Sequence, residues 1–207
     1  MPSRAFALSW DYRCPFARNA HEHVLAALAG GADWDVAFVP FSLAQVHVAE
    51  GEPPIWERPE EDTGLYALTA GVVVRDRHPS AFPGVHRDLF AARHDHGLQL
   101  KDPAVVRDVL ARHLKPAEVD AVVDAVESGD ALATVRKEHE AAAAGPGVWG
   151  VPTFVTSDDR AIFVRLMDRN PGETAEQQAH GQASVERVLD LLEWDELNEF
   201  KATRIPR

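Results

Sequence analysis

The side chain best suited to covalent chemistry is that of Cys14, the single cysteine among 207 residues. It lies in the segment Trp10-Asp-Tyr-Arg-Cys-Pro-Phe-Ala17, between an apolar stretch and a stretch with helical periodicity. A helix N-terminus presents free N–H groups and a partial positive charge, and both favour a thiolate over a thiol. With Arg13 and Arg18 nearby, we expect Cys14 to be more acidic than a free thiol and nucleophilic near neutral pH. The alternative is a small buried hydrophobic residue.

A second candidate element is Val151-Pro152, which follows the glycine-rich segment Gly147-Val-Trp-Gly150 and precedes an apolar stretch. A peptide bond before proline is a candidate for the cis isomer. In that form the backbone of Val151 would face a bound thiol compound and pair with it like the edge of a strand. The alternative is an ordinary trans proline that opens a strand.

The chain contains 10 histidines, and the pairs His21/His23 and His94/His96 are the obvious candidates for a metal site. Side chains two positions apart on a helix point about 200° away from each other, so neither pair converges on one ion. We therefore expect no metal. His21 lies too far along the predicted helix for a direct pair with Cys14, which favours a surface position or packing against a lid.

The charge balance and the hydropathy of the chain exclude several partners. Acidic residues number 33 against 21 basic ones, for a formal net charge of −12. Because nucleic-acid binding depends on cations placed against phosphates, we expect no nucleic-acid partner. No apolar run reaches the roughly 18 residues of a membrane span. The apolar stretch at the N-terminus is too short for a secretory signal, so we expect a cytoplasmic protein.

Periodicity and turn signals predict the elements that position these residues. We predict strands over 5–10, 34–41, 151–156 and 161–166, a loop over 42–59, and helices from Pro15 to a stop at Gly30-Gly31 and over 62–76, 79–96, 103–113, 116–127, 130–144 and 182–198. The first strand, helix and strand form a βαβ unit with parallel strands. The order βαβ, helices, ββα predicts a mixed sheet with a helical block that packs as a lid over one end.

The segments 10–17 and Gly150-Val-Pro-Thr-Phe154, in this order of elements, resemble the DsbA-like branch of the thioredoxin fold. In that family a Cys-x-x-Cys pair opens the first helix and a cis-proline loop precedes the closing ββα. The resemblance covers essentially the whole chain. It implies an α/β thioredoxin-like domain over residues 1–58 and 146–207, with an all-helical insertion (lid) domain over 59–145.

Two further segments, Phe41-Ser-Leu-Ala44 and Glu199-Phe-Lys-Ala-Thr-Arg204, are most similar to the actinobacterial mycothiol-dependent nitroreductase group. The sister groups are the 2-hydroxychromene-2-carboxylate isomerases and the kappa-class glutathione transferases, which use a serine at the position of Cys14. A homodimer is compatible with the resemblance.

The chain departs from the family's redox members at Ala17, where they carry the second cysteine. That second thiolate resolves the mixed disulfide formed by the first, so Cys14 alone cannot act as a dithiol oxidase. It could form a mixed disulfide with a low-molecular-weight thiol, mycothiol or glutathione, which a second thiol molecule resolves. It could instead hold the thiol noncovalently for an isomerisation or transfer. A non-redox small-molecule binding protein is the third alternative.

The leading hypothesis is a thiol-dependent oxidoreductase with a small-molecule substrate and Cys14 as its catalytic thiolate. The residues predicted to bind the thiol cofactor are Pro15, Phe16, Ala17, Val151 and Pro152. In this hypothesis the N–H groups of Phe16 and Ala17 stabilise the thiolate, and Val151-Pro152 docks the cofactor.

Several other side chains are candidates to border the site: Trp10, His47, Trp56, Tyr66 and Trp149. Core packing is the alternative, which we favour for Trp10 and leave open for the others. Arg165 or Arg169, near the last predicted strand, would receive an anionic substrate or the carboxylate of the cofactor.

Overall fold

One four-stranded sheet carries the candidate site. The computed structural model describes residues 3–197. Its strands are β1 (Arg4–Trp10), β2 (Trp34–Pro40), β3 (Thr153–Thr156) and β4 (Ala161–Phe163), in the order β2-β1-β3-β4. β1 pairs in parallel with β2 and antiparallel with β3, and β3 pairs antiparallel with β4. The predicted mixed sheet and α/β thioredoxin-like fold are therefore confirmed.

Two helices, α1 (Pro15–Ala29) and α8 (Ala175–Glu193), pack together on the sheet. Leu8 of β1 is fully buried in this core together with Val24 of α1 and Leu189 of α8. Proline fits the first position of α1 because no N–H is needed there. This packing places the start of α1, and with it Cys14, at the carboxyl end of β1.

The described chain between β2 and β3 is helical. After α2 (Leu43–Val46) and 3₁₀ turns at Ile55–Glu57 and Pro59–Glu61 come α3 (Leu65–Arg77), α4 (Phe82–His94), α5 (Pro103–Leu110), α6 (Pro116–Glu127) and α7 (Asp130–Ala144). A large apolar core joins these helices to the segment before Cys14: Trp10 packs edge-on against Phe82, and Tyr12 against Phe90. Trp10 is thus a core residue, as predicted. The helices share a core with the site, and a separate domain over 59–145 stays a prediction.

The predicted starts of two helices are wrong, because a capping box precedes one of them and a turn precedes the other. α8 begins at Ala175, ahead of the predicted 182, since the Thr174 hydroxyl accepts the N–H of Gln177 and the Gln177 side chain accepts the N–H of Thr174. α3 begins at Leu65 and not at 62, because the Asp62 carboxylate accepts the N–H of Gly64 at 2.7 Å and forms a turn.

Two other helices of the insertion and the last two strands are shorter than predicted, whereas α6 and α7 have the predicted bounds of 116–127 and 130–144. α4 and α5 lie inside the predicted 79–96 and 103–113. β3 begins only at Thr153, since 151–152 belong to the loop at Cys14. β4 ends at Phe163, short of 166, where the chain turns towards α1: the Asn19 side-chain amide donates to the carbonyls of Leu166 and Met167 at 2.8 and 2.9 Å.

Candidate active site

Cys14 lies directly before α1 and caps the helix with its own sulfur. The Sγ atom accepts a hydrogen bond from the N–H of Ala17 at 3.4 Å. The backbone N–H of Cys14 donates to the carbonyl of Asp11 at 3.0 Å, which closes a turn after β1. The residue is 8% exposed. The predicted position of the thiol at a helix N-terminus is confirmed.

The loop before β3 forms the second half of the site. The peptide bond between Val151 and Pro152 is cis, as predicted. The thiol of Cys14 donates to the carbonyl of Val151 at 3.3 Å. Ser9 of β1 anchors the same loop, because its hydroxyl accepts the N–H of Thr153 at 2.9 Å and donates to a backbone carbonyl of the loop at 3.3 Å. The two segments singled out in the sequence therefore meet at the sulfur.

The expectation that Cys14 is unusually acidic is wrong. Burial raises the pKa of the thiol above its ordinary value and outweighs the N–H groups of Ala17 and Phe16, which lower it. The hydrogen bond that the S–H donates to Val151 also favours the protonated form. At neutral pH the resting side chain is therefore a thiol.

The two arginines expected to help ionise Cys14 are neutralised by carboxylates. Arg13 lies 3.5 Å from Asp11 and 3.2 Å from Asp62. Arg18 is paired with Glu22 and Asp95. The positive charge that lowers the pKa of Cys14 comes instead from Arg165.

A cavity of about 250 Å³ opens onto Cys14, and we call it the Cys14 pocket. Its lining residues are Cys14, Phe16, Leu43, Val46, His47, Trp149, Gly150, Val151, Phe163 and Arg165. Of the predicted cofactor-binding residues, Phe16 and Val151 belong to the lining. Pro15, Ala17 and Pro152 do not line it, and of these three Ala17 contacts the sulfur through its N–H.

One wall of the pocket stacks aromatic rings with a guanidinium group. The guanidinium carbon of Arg165 lies 4.8 Å from the ring centre of Phe16 and 5.4 Å from that of Phe163. Trp149 stacks on Phe163 with ring centres 4.6 Å apart and is 64% exposed. Cation–π contacts hold the guanidinium without cancelling its charge, and no carboxylate pairs with Arg165 among residues 3–197. The wall therefore offers a cation and an open aromatic surface to a ligand.

The remaining predicted site residues separate into two groups. His47 lines the Cys14 pocket, as predicted. Arg169 does not, because it pairs with Glu22 at 2.8 Å. Trp56 is buried in the core, and Tyr66 lines a different cavity of about 730 Å³ among the insertion helices. Of the two arginines considered for an anion, the structure brings only Arg165 to Cys14.

A buried chain of hydrogen bonds beside the site was missed by sequence reasoning. Tyr12 Oη lies 2.8 Å from His86 Nδ1, His86 Nε2 lies 2.9 Å from His21 Nδ1, and His21 Nε2 lies 3.2 Å from the Ser9 carbonyl. We call these four residues the Tyr12–Ser9 chain. The surface position considered for His21 is wrong, whereas its packing against the insertion is confirmed. His86 is separated from His21 by 65 residues, and no local pattern marks such a pair.

Metal-ligating side chains do not gather within the described residues: no three His, Cys, Asp or Glu side chains there are placed to hold one ion. His21 is engaged in the Tyr12–Ser9 chain, and His23 donates to the carbonyl of Asn19 at 2.9 Å. In the same part of the protein, no helix is long and apolar enough to cross a membrane.

Comparisons with known proteins agree with this geometry. Residues 7–192 match the model of the family described as DSBA-like thioredoxin domain. Oxidised BdbD from Bacillus subtilis has 15% identity and a TM-score of 0.59, over 90% of this chain and 87% of that one. The cytosolic disulfide reductase DsbM from Pseudomonas aeruginosa, with GSH, has 15% identity and a TM-score of 0.59, over 90% and 99%. At 15% sequence identity, these structural similarities establish only the fold. No curated protein matches the sequence significantly.

Proposed function

Because the chain belongs to the family of DSBA-like thioredoxin domains, a family of thiol–disulfide oxidoreductases, we propose that Cys14 exchanges disulfides with a low-molecular-weight thiol. The observation that carries the proposal is the contact of Cys14 Sγ with the Val151 carbonyl, at 3.3 Å, beside a pocket that holds Arg165, which pairs with no carboxylate of the described residues. A thiol compound that pairs with the backbone of Val151 would place its own sulfur next to Cys14.

The presence of a single cysteine dictates how such a cycle runs. Cys14 attacks one sulfur of a disulfide RS–SR′, which forms Cys14–S–S–R, and its proton passes to the departing R′S⁻. A second thiol R″SH, as its thiolate, then attacks the R sulfur and yields RS–SR″ and Cys14. Ala17 is fully buried at the position where a resolving cysteine would stand, so the second thiol must come from solution.

Two thiols fit the proposal, glutathione and mycothiol. Arg165 would pair with a carboxylate of glutathione or donate hydrogen bonds to the hydroxyl groups of mycothiol. The similar fold of DsbM, whose structure contains GSH, supports glutathione. The segment 41–44 supports mycothiol, since its Leu43 lines the Cys14 pocket. The other segment similar to the mycothiol group, 199–204, lies outside the described residues.

Mass spectrometry of the native protein after incubation with oxidised glutathione, and separately with oxidised mycothiol, tests the proposal. We expect an adduct of one thiol at Cys14 with at least one of them, which the matching reduced thiol removes. Cys14→Ser, shown to be folded by circular dichroism, is the control and should carry no adduct. The absence of an adduct with both disulfides would contradict the proposal.

A second candidate, a thiol-dependent isomerase or transferase, is favoured by one observation. Burial raises the pKa of Cys14, and a protonated thiol can donate a hydrogen bond to the thiolate of a bound cofactor without forming a disulfide. This candidate predicts that the reduced thiol binds, measured by calorimetry, and supports turnover of a chromene carboxylate or a halogenated aromatic without an adduct. Binding with neither adduct nor turnover would identify a non-redox binding protein.

We propose that the substrate is a small molecule and that the reaction takes place in the cytoplasm. The net charge of −12 supports the absence of a nucleic-acid partner. The cytosolic description of DsbM supports the location. The homodimer stays a prediction.

A further inference from the structure

The Tyr12–Ser9 chain touches both halves of the Cys14 site without lining the pocket. We propose that His86 and His21 are positioning residues, which hold the Cys14 loop and the Val151-Pro152 loop in register through helix α4. This inference rests on the proposed function, because the register matters for disulfide exchange at Cys14.

The chain admits one arrangement of protons when both histidines are neutral. The Ser9 carbonyl can only accept, so His21 Nε2 carries the hydrogen and His21 Nδ1 must accept. His86 Nε2 therefore donates to His21, and His86 Nδ1 accepts the O–H of Tyr12. Every donor points from Tyr12 towards Ser9, and every group has a partner. A ring flip at either histidine would leave buried polar groups unpaired on both sides.

Burial keeps both rings in the neutral form that this arrangement requires. Burial lowers the pKa of His21 to about 3, and it lowers the pKa of His86 well below its ordinary value. The charge of Arg87 acts in the same direction and also lowers the pKa of His86.

At one end, the chain fixes the residue two positions before Cys14. The backbone carbonyl of Tyr12 accepts a hydrogen bond from His94 Nε2 at 2.9 Å. The ring of Tyr12 packs on that of Phe90, with ring centres 4.8 Å apart. In α3, Gly71 lies so close that an added Cβ would stand 2.4 Å from Tyr12 Oη. The insertion therefore holds both the backbone and the hydroxyl of Tyr12.

At the other end, Ser9 passes the constraint to the Val151-Pro152 loop. Its carbonyl receives the hydrogen bond of His21, and its hydroxyl binds the N–H of Thr153 at 2.9 Å. The Cys14–Val151 contact of 3.3 Å then joins the two loops directly. A change in the chain should move the two loops relative to each other and open this contact.

Four variants separate positioning from general stability. Tyr12→Phe removes only the hydroxyl donor, and His86→Leu removes both ring nitrogens. His86→Gln keeps one acceptor and one donor, and serves as the conservative rescue. Val85→Ala is the matched control, because Val85 is fully buried beside His86 in α4 and has no part in the chain. All are compared at one pH, under conditions in which circular dichroism shows a folded protein.

Two reagents with different requirements measure the effect on Cys14. Iodoacetamide needs only exposure of the sulfur, whereas oxidised glutathione also needs the Val151 backbone. We expect Tyr12→Phe and His86→Leu to react roughly fivefold faster with iodoacetamide, because local opening uncovers Cys14. Relative to that rate, their exchange with oxidised glutathione should fall roughly tenfold, because small misplacements strongly slow oriented reactions. His86→Gln should lie near wild type, and Val85→Ala within about twofold of it.

Unchanged iodoacetamide rates in Tyr12→Phe, or an equal change in Val85→Ala, would overturn the inference. Tyr12→Phe keeps the test decisive where His86→Leu does not fold. A wild-type protein that forms no adduct with either oxidised glutathione or oxidised mycothiol would end the proposed function, while the iodoacetamide comparison still decides on positioning. Ring nitrogen shifts in NMR spectra add a signature: both histidines should show Nε2–H, and Nδ1–H at either would contradict the chain.

Discussion

The two sides of Cys14 satisfy their polar groups in opposite ways. Towards the insertion, Tyr12, His86 and His21 are fully buried, and each is hydrogen-bonded to the next. Towards the pocket, Arg165 lies among aromatic rings without a carboxylate partner in the described chain, and Trp149 is largely exposed. The hydrogen bonds of these three side chains are used within the protein, so they have no capacity left for a ligand. The second side keeps its capacity, which is why we propose that a substrate binds there.

Acid provides the largest test of this difference, because protonation of the buried histidines destabilises the fold. His21 has a folded-state pKa of about 3, and that of His86 is also far below the ordinary 6.5. Unfolding therefore takes up protons in acid: the stabilisation is complete above pH 6.5 and is lost as the pH falls towards 3. Between pH 7 and pH 5 each histidine should cost about 2 kcal/mol of unfolding free energy. Urea unfolding at both pH values measures the loss.

His86→Gln is the control for the acid experiment, since it keeps a donor and an acceptor but does not titrate. The difference in unfolding free energy between pH 7 and pH 5 should shrink by about 2 kcal/mol in this variant. An unchanged pH dependence would show that His86 is not a buried neutral histidine.

A pair of glycines compares the packing of the two sides. In Gly71→Ala the new Cβ would stand 2.4 Å from Tyr12 Oη, whereas in Gly150→Ala it would lie 3.5 Å from Phe163 of the pocket. Overpacking of a full core typically costs about 1–3 kcal/mol, and we expect Gly71→Ala to lose that amount. Gly150→Ala should change the unfolding free energy by less than about 0.5 kcal/mol. Equal effects in thermal or urea unfolding would mean that the pocket side is packed as tightly as the core.

Removing the charge of Arg165 tests the pocket side. Arg165→Ala should slow adduct formation with oxidised glutathione by about tenfold, the scale of one charge-assisted hydrogen bond. With the uncharged bis(2-hydroxyethyl) disulfide it should react within about twofold of wild type, because no carboxylate is lost. Arg169→Ala removes an arginine that is tied to Glu22 and serves as the matched control. An equal loss of rate with both disulfides would assign Arg165 to packing or to its effect on the pKa of Cys14, and not to anion binding.

The smallest expected effect concerns Cys14 itself, where the two sides meet. Since its folded-state pKa is raised, iodoacetamide should react at pH 8 a few-fold more slowly than with free cysteine, whose pKa is about 8.5. The raised value also stabilises the fold below the ordinary thiol pKa, and this contribution is lost as the pH rises beyond it. A rate that reaches its plateau below pH 7.5 would contradict this assignment.

The sequence predicts the parts of the site that depend on local pattern. Cys14 before a proline at a helix start and Val151-Pro152 before a strand were both identified, and the fold brings them into contact. The acidity of Cys14 was predicted wrongly, because the helix N-terminus is visible in a sequence whereas the burial that outweighs it is not. The neutralisation of Arg13 has the same origin, since Asp62 reaches it only through the fold.

The buried side could not be predicted, because its contacts join distant segments. His21 to His86 and Ser9 to Thr153 are separated by 65 and 144 positions. The early start of α8, in contrast, was open to prediction, since Thr174 and Gln177 have the spacing of a capping box. The capping box is thus a local signal that the sequence does carry, whereas the long-range contacts leave no pattern along the chain.

The antiparallel pairing of β1 with β3 has a consequence for the nascent chain during its synthesis. Phe6 pairs with Thr156. The Val151 carbonyl, which covers Cys14, lies 137 residues after Cys14 in the chain. At the pace of a ribosome, about 5–20 residues per second, Cys14 emerges on the order of ten seconds before Val151 exists. Until then its sulfur is open to every thiol and oxidant around it. Cys14 is therefore uncovered on the unfinished polypeptide, before the Cys14 pocket has formed.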